Sequence, residues 1–272
     1  MRRELIGLLL GISSTMVMAE GEAINPVLDE SFHFRLGANF LNVDGDLSSS
    51  RSGVDTPDVD LDTLGMDDDY TSPYFRFRWR PSDRWRLSFN YFKFDNDGDV
   101  TETFDFDFGD LDVSGFARVE TKLKTEFYVA QAGYSFLKNE RSELGLGAGF
   151  HVVDLDTKIK ASAGLGPIGG QLGSESTDVT APLPNVTAFA TYAFTPKLSL
   201  DASVSYFSLS YDKYSGDLAA AVVNLEYRFT RNFGAGVGYN YVNMNLDIDH
   251  GDGEDTYDFT FKGPLVFLSA GF

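Results

Sequence analysis

Apolar side chains recur at every second position in about ten separate stretches of the chain, the period of a β-strand with two unlike faces. The first stretch sets Phe32, Phe34, Leu36, Ala38 and Phe40 against His33, Arg35, Gly37 and Asn39. Phe75, Phe77 and Trp79 then alternate with Arg76, Arg78 and Arg80, and Trp85, Leu87, Phe89 and Tyr91 with Arg86, Ser88 and Asn90. Stretches of the same kind follow from Tyr128, Leu144, Val186, Leu198, Ala221, Phe233 and Val266, the last ending at Phe272. One face is apolar and aromatic, while the other carries Gly, Ser, Asn, Arg and Glu. The uncharged run 179–196 is long enough for a membrane helix, but it holds Pro182, Pro184 and Pro196 and alternates as a strand does.

The connections alternate between short and long. Short ones fall at 81–83, 138–141, 195–197 and 230–232, and long ones at 44–72, 95–115, 154–182, 211–217 and 246–258. A soluble sandwich would bury the apolar face between two sheets. The small residues on the polar face and the alternating connections point instead to an all-β, antiparallel, up-and-down transmembrane β-barrel. About ten strands are expected, with eight as the alternative, joined by short periplasmic turns and long acidic external loops. Trp79, Trp85, Phe136, Phe194, Phe229, Phe233 and Phe272 lie at the short-turn ends, where an interfacial girdle belongs.

Composition narrows the partners. The formal charge of −19 argues against nucleic acid, which needs a basic surface. There is no Cys, hence no disulfide framework or thiolate metal site. Mean hydropathy is only −0.17, yet the chain holds 24 Phe and 13 Tyr. Arg2 and Arg3 precede an apolar segment that ends at Ala19, the pattern of a secretory signal peptide. The expected organisation is a signal peptide over 1–19, a short periplasmic tail over 20–30 and a barrel over 31–272.

On these strands and turns the chain resembles bacterial outer-membrane β-barrel proteins of the OmpA/OmpW-like kind. Leu64-Gly65, Phe108-Gly109-Asp110 and Ala181-Pro182-Leu183-Pro184 resemble a narrower group of such barrels, a likeness that implies no particular activity. The resemblance implies a Gram-negative outer-membrane location and a final strand whose Phe272 serves as a signal to the barrel-assembly machinery. It also implies outer-membrane lipid and lipopolysaccharide as surroundings. Two departures are the strand count, ten against eight, and the lack of a segment resembling a peptidoglycan-binding domain.

The polar face predicts a lumen charge network of Arg35, Arg76, Arg78, Arg80, Arg86 and Arg228 with Glu143, Asp201 and Glu226. Such charges must be paired or hydrated. Two readings stay open: a salt-bridged plug, or a narrow charge-lined channel. Lys93, Lys122, Lys124, Lys158, Lys160, Lys213 and Lys262 fall near the outward strand ends, where bases meet lipopolysaccharide phosphates. The acidic loops suit divalent cations as loose partners. Asp95-Asn96-Asp97-Gly98-Asp99 resembles the start of a calcium loop, although Asp97-Gly98 equally suits a hairpin turn. Of three histidines, His33 and His151 fall on strands and His250 lies beside Asp249 in the last loop. No catalytic set, cofactor site or dedicated metal site is assigned. The expectation is a monomeric, non-enzymatic barrel with a structural or surface-interaction role. A porin-like passive channel for ions or small solutes is the alternative, and a barrel hydrolysing lipid A or peptides is a third reading.

Overall fold

The computed structural model describes residues 23–51, 54–55, 59–61, 63–67, 69–108, 111–163, 171–211, 214–249 and 253–272. The expected signal peptide lies outside them. Ten antiparallel strands form a closed ring: β1 (Phe32–Arg51), β4 (Asp69–Trp79), β5 (Trp85–Phe108), β6 (Leu111–Lys138), β7 (Ser142–Ala163), β8 (Gln171–Ala193), β9 (Leu198–Tyr211), β10 (Tyr214–Arg228), β11 (Phe233–Asp249) and β12 (Gly253–Gly271). Each pairs with its neighbour in sequence, and β12 returns to β1 from His33↔Gly271 to Arg51↔Gly253, so the ring has no free edge at its base. Two-residue strands β2 (Val54–Asp55) and β3 (Val59–Asp60) pair back onto β1 in the first outward connection.

The tight turns follow from side chains that satisfy the turning backbone. Thr195 Oγ1 accepts from the N–H of Lys197 and Leu198, at 3.2 and 2.9 Å. Thr230 Oγ1 does the same for Asn232 and Phe233, and Asn139 Oδ1 for Arg141 and Ser142.

The strands are much longer than a bilayer requires. A tilted crossing takes about 9–11 residues, whereas β5 has 24 and β6 has 28. The outward connections are therefore largely strand. The Asp95–Asp99 segment is extended within β5, neither a turn nor a calcium loop. Alternation misses this extension because the chemistry of the two faces exchanges partway along. Near the base the outward positions are apolar and the inward ones polar. Beyond Phe40, 46% exposed, the inward positions become Leu41 and Val43, about 1% exposed, and the outward ones Asn42 and Asp44. Adjacent apolar residues mark the exchange in most strands: Phe40-Leu41, Tyr91-Phe92, Phe127-Tyr128, Val152-Val153, Tyr206-Phe207 and Tyr241-Val242.

Above the exchange the ring parts into two facing sheets. Described pairing between β8 and β9 runs only from Val186↔Tyr206 to Ala193↔Ser199, and between β4 and β5 only from Tyr74↔Phe92 to Trp79↔Leu87. The ladders joining β5 through β8 continue outward, as do those joining β9 through β12 to β1. Pro184 and Pro182 follow directly beyond Val186 on β8 at the same strand parity, and proline cannot donate to a further ladder. The facing sheets bury one apolar core, in which Phe94 and Phe127 meet Phe261 edge-on at 5.8 and 5.2 Å. The β4–β5 gap is closed by the first connection, whose Leu61, Leu64 and Met66 are buried in that core. There Gly65 turns with φ 71°, and Gly98 of β5 lacks the Cβ that would strike the Leu64 carbonyl oxygen.

Candidate functional site

The lower lumen is filled with ion pairs. Arg35 spans Asp201 and Glu226, with Nη1–Oδ1 and Nη2–Oε2 distances of 3.0 Å. Arg76 reaches the same Asp201 oxygen at 2.8 Å. Arg80 grips Glu143 with both terminal nitrogens at 2.9 and 2.7 Å, and Ser135 also donates to that carboxylate. Arg228 pairs with Glu226 through Nε at 2.7 Å and gives Nη2 to both oxygens of Glu30 at 2.8 Å. Arg86 lies over the Phe189 ring, 3.1 Å from its centroid. All nine residues of the expected lumen set are buried. Arg35, Arg76, Arg78 and Arg228 join Asp201 and Glu226 in a chain of ion pairs that includes Glu30. Arg80 and Glu143 form a pair of their own, and Arg86 stacks on Phe189.

Pairing makes this burial tolerable. An isolated charge in a low-dielectric interior loses its hydration, and removing one partner of a buried pair costs about 3–5 kcal/mol. A Cβ at Gly145 would overlap the Phe189 ring, so glycine there makes room for the aromatic that carries Arg86.

Two members escaped the sequence reading. Glu30 comes from the tail, and His33 contacts Glu30 and Glu226, each at 3.2 Å. The described part of the tail, from Ala23 on, seats in the barrel mouth at the short-turn end. Asn25 caps a single 3-10 turn over Pro26–Leu28, accepting from the Val27 N–H and donating to the Thr195 carbonyl. Val27 and Leu28 are fully buried beside Ala193, and Arg78 donates to the Val27 carbonyl at 2.8 Å and to Glu30 at 3.3 Å. Asn25-Pro26 before two apolar residues was the available signal, a capping residue followed by proline at the first helical position.

The rim lysines occupy the outward face above the apolar belt. Lys93 pairs with Asp95 at 3.4 Å, Lys124 with Glu126 at 3.2 Å and Lys158 with Asp156 at 3.7 Å, and Lys262 pairs with Asp44. The hydrogen bond to Glu126 pushes the Lys124 ammonium above its ordinary pKa. Lys122 stands directly opposite Lys158, and Lys160 opposite Glu120. Lys213 and His250 lie outside the described residues. His151 faces inward and shares a 2.7 Å hydrogen bond with Asn185. Among the described residues no group of three or more His, Asp or Glu side chains is arranged to hold a metal ion.

A closed antiparallel ring with an apolar belt, aromatic base and charged lumen defines the bacterial outer-membrane β-barrel. Solved structures of that class are similar to the chain. The outer-membrane protease OmpT of Escherichia coli matches with a TM-score of 0.55 at 13% identity, over 88% of this chain and 97% of that one. The translocator domain of the autotransporter NalP from Neisseria meningitidis matches at 0.45 and 11% identity, over 90% and 91%. The toluene transporter TbuX of Ralstonia pickettii matches at 0.39 and 10%, over 93% and 92%. At 13% identity the likeness to OmpT is one of fold. No protein-family model matches the chain, and no curated protein does.

Proposed function

We propose that the protein is a closed, monomeric outer-membrane barrel, exported by its signal peptide, which holds a rigid acidic head outside the membrane in a structural or surface-interaction role. The observation that carries this is the apolar core across the outward half of the lumen, with Phe94, Leu123, Phe127, Phe259 and Phe261 essentially unexposed. An ion has no hydrated path through such packing. The passive-channel reading requires that core to part. Refolded mature protein in a planar bilayer should give no steady unitary conductance. Reproducible ion-selective openings would overturn the closed reading.

The same proposal takes the lysine rim as a lipopolysaccharide contact. Lys93 is two residues beyond the belt residue Tyr91, and Lys122 six beyond Tyr128, about 20 Å along the strand. Graded heights of this kind suit phosphates at headgroup level and anionic sugars further out. Replacing Lys122, Lys124, Lys158 and Lys160 with Gln should lower the lipopolysaccharide retained on purification several-fold, and unchanged retention would sink the contact. Acidic outer positions are offered to divalent cations only as a diffuse atmosphere. The barrel-assembly machinery is the partner expected for the terminal strand that ends at Phe272. The reading is non-enzymatic: His33 serves the lumen ion pairs and His151 an amide network.

A further inference from the structure

The lower lumen does not balance its own charge. Among the described residues six buried arginines, Arg35, Arg76, Arg78, Arg80, Arg86 and Arg228, face four carboxylates, Glu30, Glu143, Asp201 and Glu226. Arg86 is accommodated by the face of Phe189. Two carboxylates are shared between arginines: one Asp201 oxygen serves both Arg35 and Arg76, and Glu30 serves both Arg78 and Arg228. Directly above, between the ion pairs and the apolar core, lies a cavity of about 50 Å³ lined by Arg76, Asn90, Gln131, Ser203, Ser205 and Asn240. A single water needs roughly 10–15 Å³ on this measure, so the space exceeds one water. The Asn90, Ser203 and Asn240 side chains have no hydrogen-bond partner among the described residues, and Asn240 is only 8% exposed. Asn90 and Ser203 are half-buried and Asn240 is buried, and a buried amide without a partner is uncommon and marks a missing ligand or water.

We propose that this cavity binds one small inorganic anion, of the size of chloride, against the Arg76 guanidinium, with Asn90, Ser203 and Asn240 as donors. The anion offsets the surplus positive charge where Asp201 is shared. Its compact class follows from the small volume, about 50 Å³, which leaves no room for carboxylate metabolites with bulk. No carboxylate is among the lining residues; beside Arg76 and His151 the polar part of the wall is amides and hydroxyls, which can turn N–H and O–H groups toward an anion.

The test is to refold the mature barrel in sodium bromide, so that access through the closed fold is not required, and to collect anomalous diffraction. Wild-type protein should show a bromide peak beside Arg76, and Arg76→Gln should lose it. As a check that does not depend on Arg76→Gln folding, Asn240→Leu, which fills the space and leaves the charges in place, should also lose the peak. Water alone in the wild-type cavity, or a peak of equal height in both variants, would overturn the proposal.

Discussion

The two halves of the barrel solve one packing problem in opposite ways. In the membrane half Leu36, Val237 and Leu268 face outward while Arg35, Asp201 and Glu226 fill the interior. In the outward half Asp44, Lys122 and Lys158 face outward while Leu41, Leu123 and Phe261 fill it. The strands are continuous across the boundary, so backbone geometry does not set the difference. Surroundings do. Lipid leaves no hydrophobic drive to fill a core, so the lower interior is organised by charge and hydrogen bonds. Water restores the drive, and the upper interior collapses as in a soluble sandwich.

The strongest way to break this contrast is to unbalance the lower interior. Asp201→Asn leaves Arg35 and Arg76 without their shared carboxylate and should cost about 3–5 kcal/mol. Urea unfolding of refolded barrel in detergent would read it, and adding Arg76→Met should recover part of the loss. Phe261→Ala in the upper core should cost a comparable amount, about 3–5 kcal/mol, with no such recovery. Equal response of both variants to Arg76→Met would refute the separation.

A second comparison uses one strand. Val237 and Asn245 both face outward on β11, below and above the exchange. Val237→Arg should destabilise by about 2–4 kcal/mol in a bilayer, and Asn245→Arg by close to nothing. Matched losses in lipid vesicles would move the boundary.

The smallest effect concerns the head alone. Arg118 donates to Asp99 across the β5–β6 ladder, and that hydrogen bond holds the Asp99 carboxyl below its ordinary pKa. A carboxyl depressed in the folded state contributes stability above its unfolded pKa and loses it as pH falls through the folded value. Amide exchange near Asp99 should therefore quicken as pH is lowered through the acid range, after correction for intrinsic rates, and Asp99→Asn should remove that dependence. The pair is exposed and its contribution is small.

Much of the membrane half was legible in the sequence. Alternation gives the strands, the glycines and charges give the inward face, and Trp79, Trp85 and Phe272 give the base girdle, all of them exposed. The outward half was hidden because its alternation resumes one residue out of step, after doublets such as Tyr91-Phe92. Asp97-Gly98 read as a turn for the same reason: local turn preference is overridden by ladder pairing to Lys122 and Thr121. Parity showed the inward strand positions of the lumen set, His33 included although it was not assigned to the charge network, whereas Glu30 was not visible. It belongs to no strand, and its partners Arg78 and Arg228 are remote in sequence.

That seat for Glu30 ties the start of the chain to its completion. Arg78 arrives with β4, but Arg228 stands at the end of β10, and Phe32 exchanges backbone hydrogen bonds with Phe272. The strap around Val27 and Leu28 therefore finds its full set of partners only once the last strands are in place. Non-local contacts of this span form late, because the closure entropy must be met first. The N-terminal turn thus works as a latch that engages after ring closure, and a chain stalled before β10 would leave its mouth unsealed and distinguishable from the finished barrel.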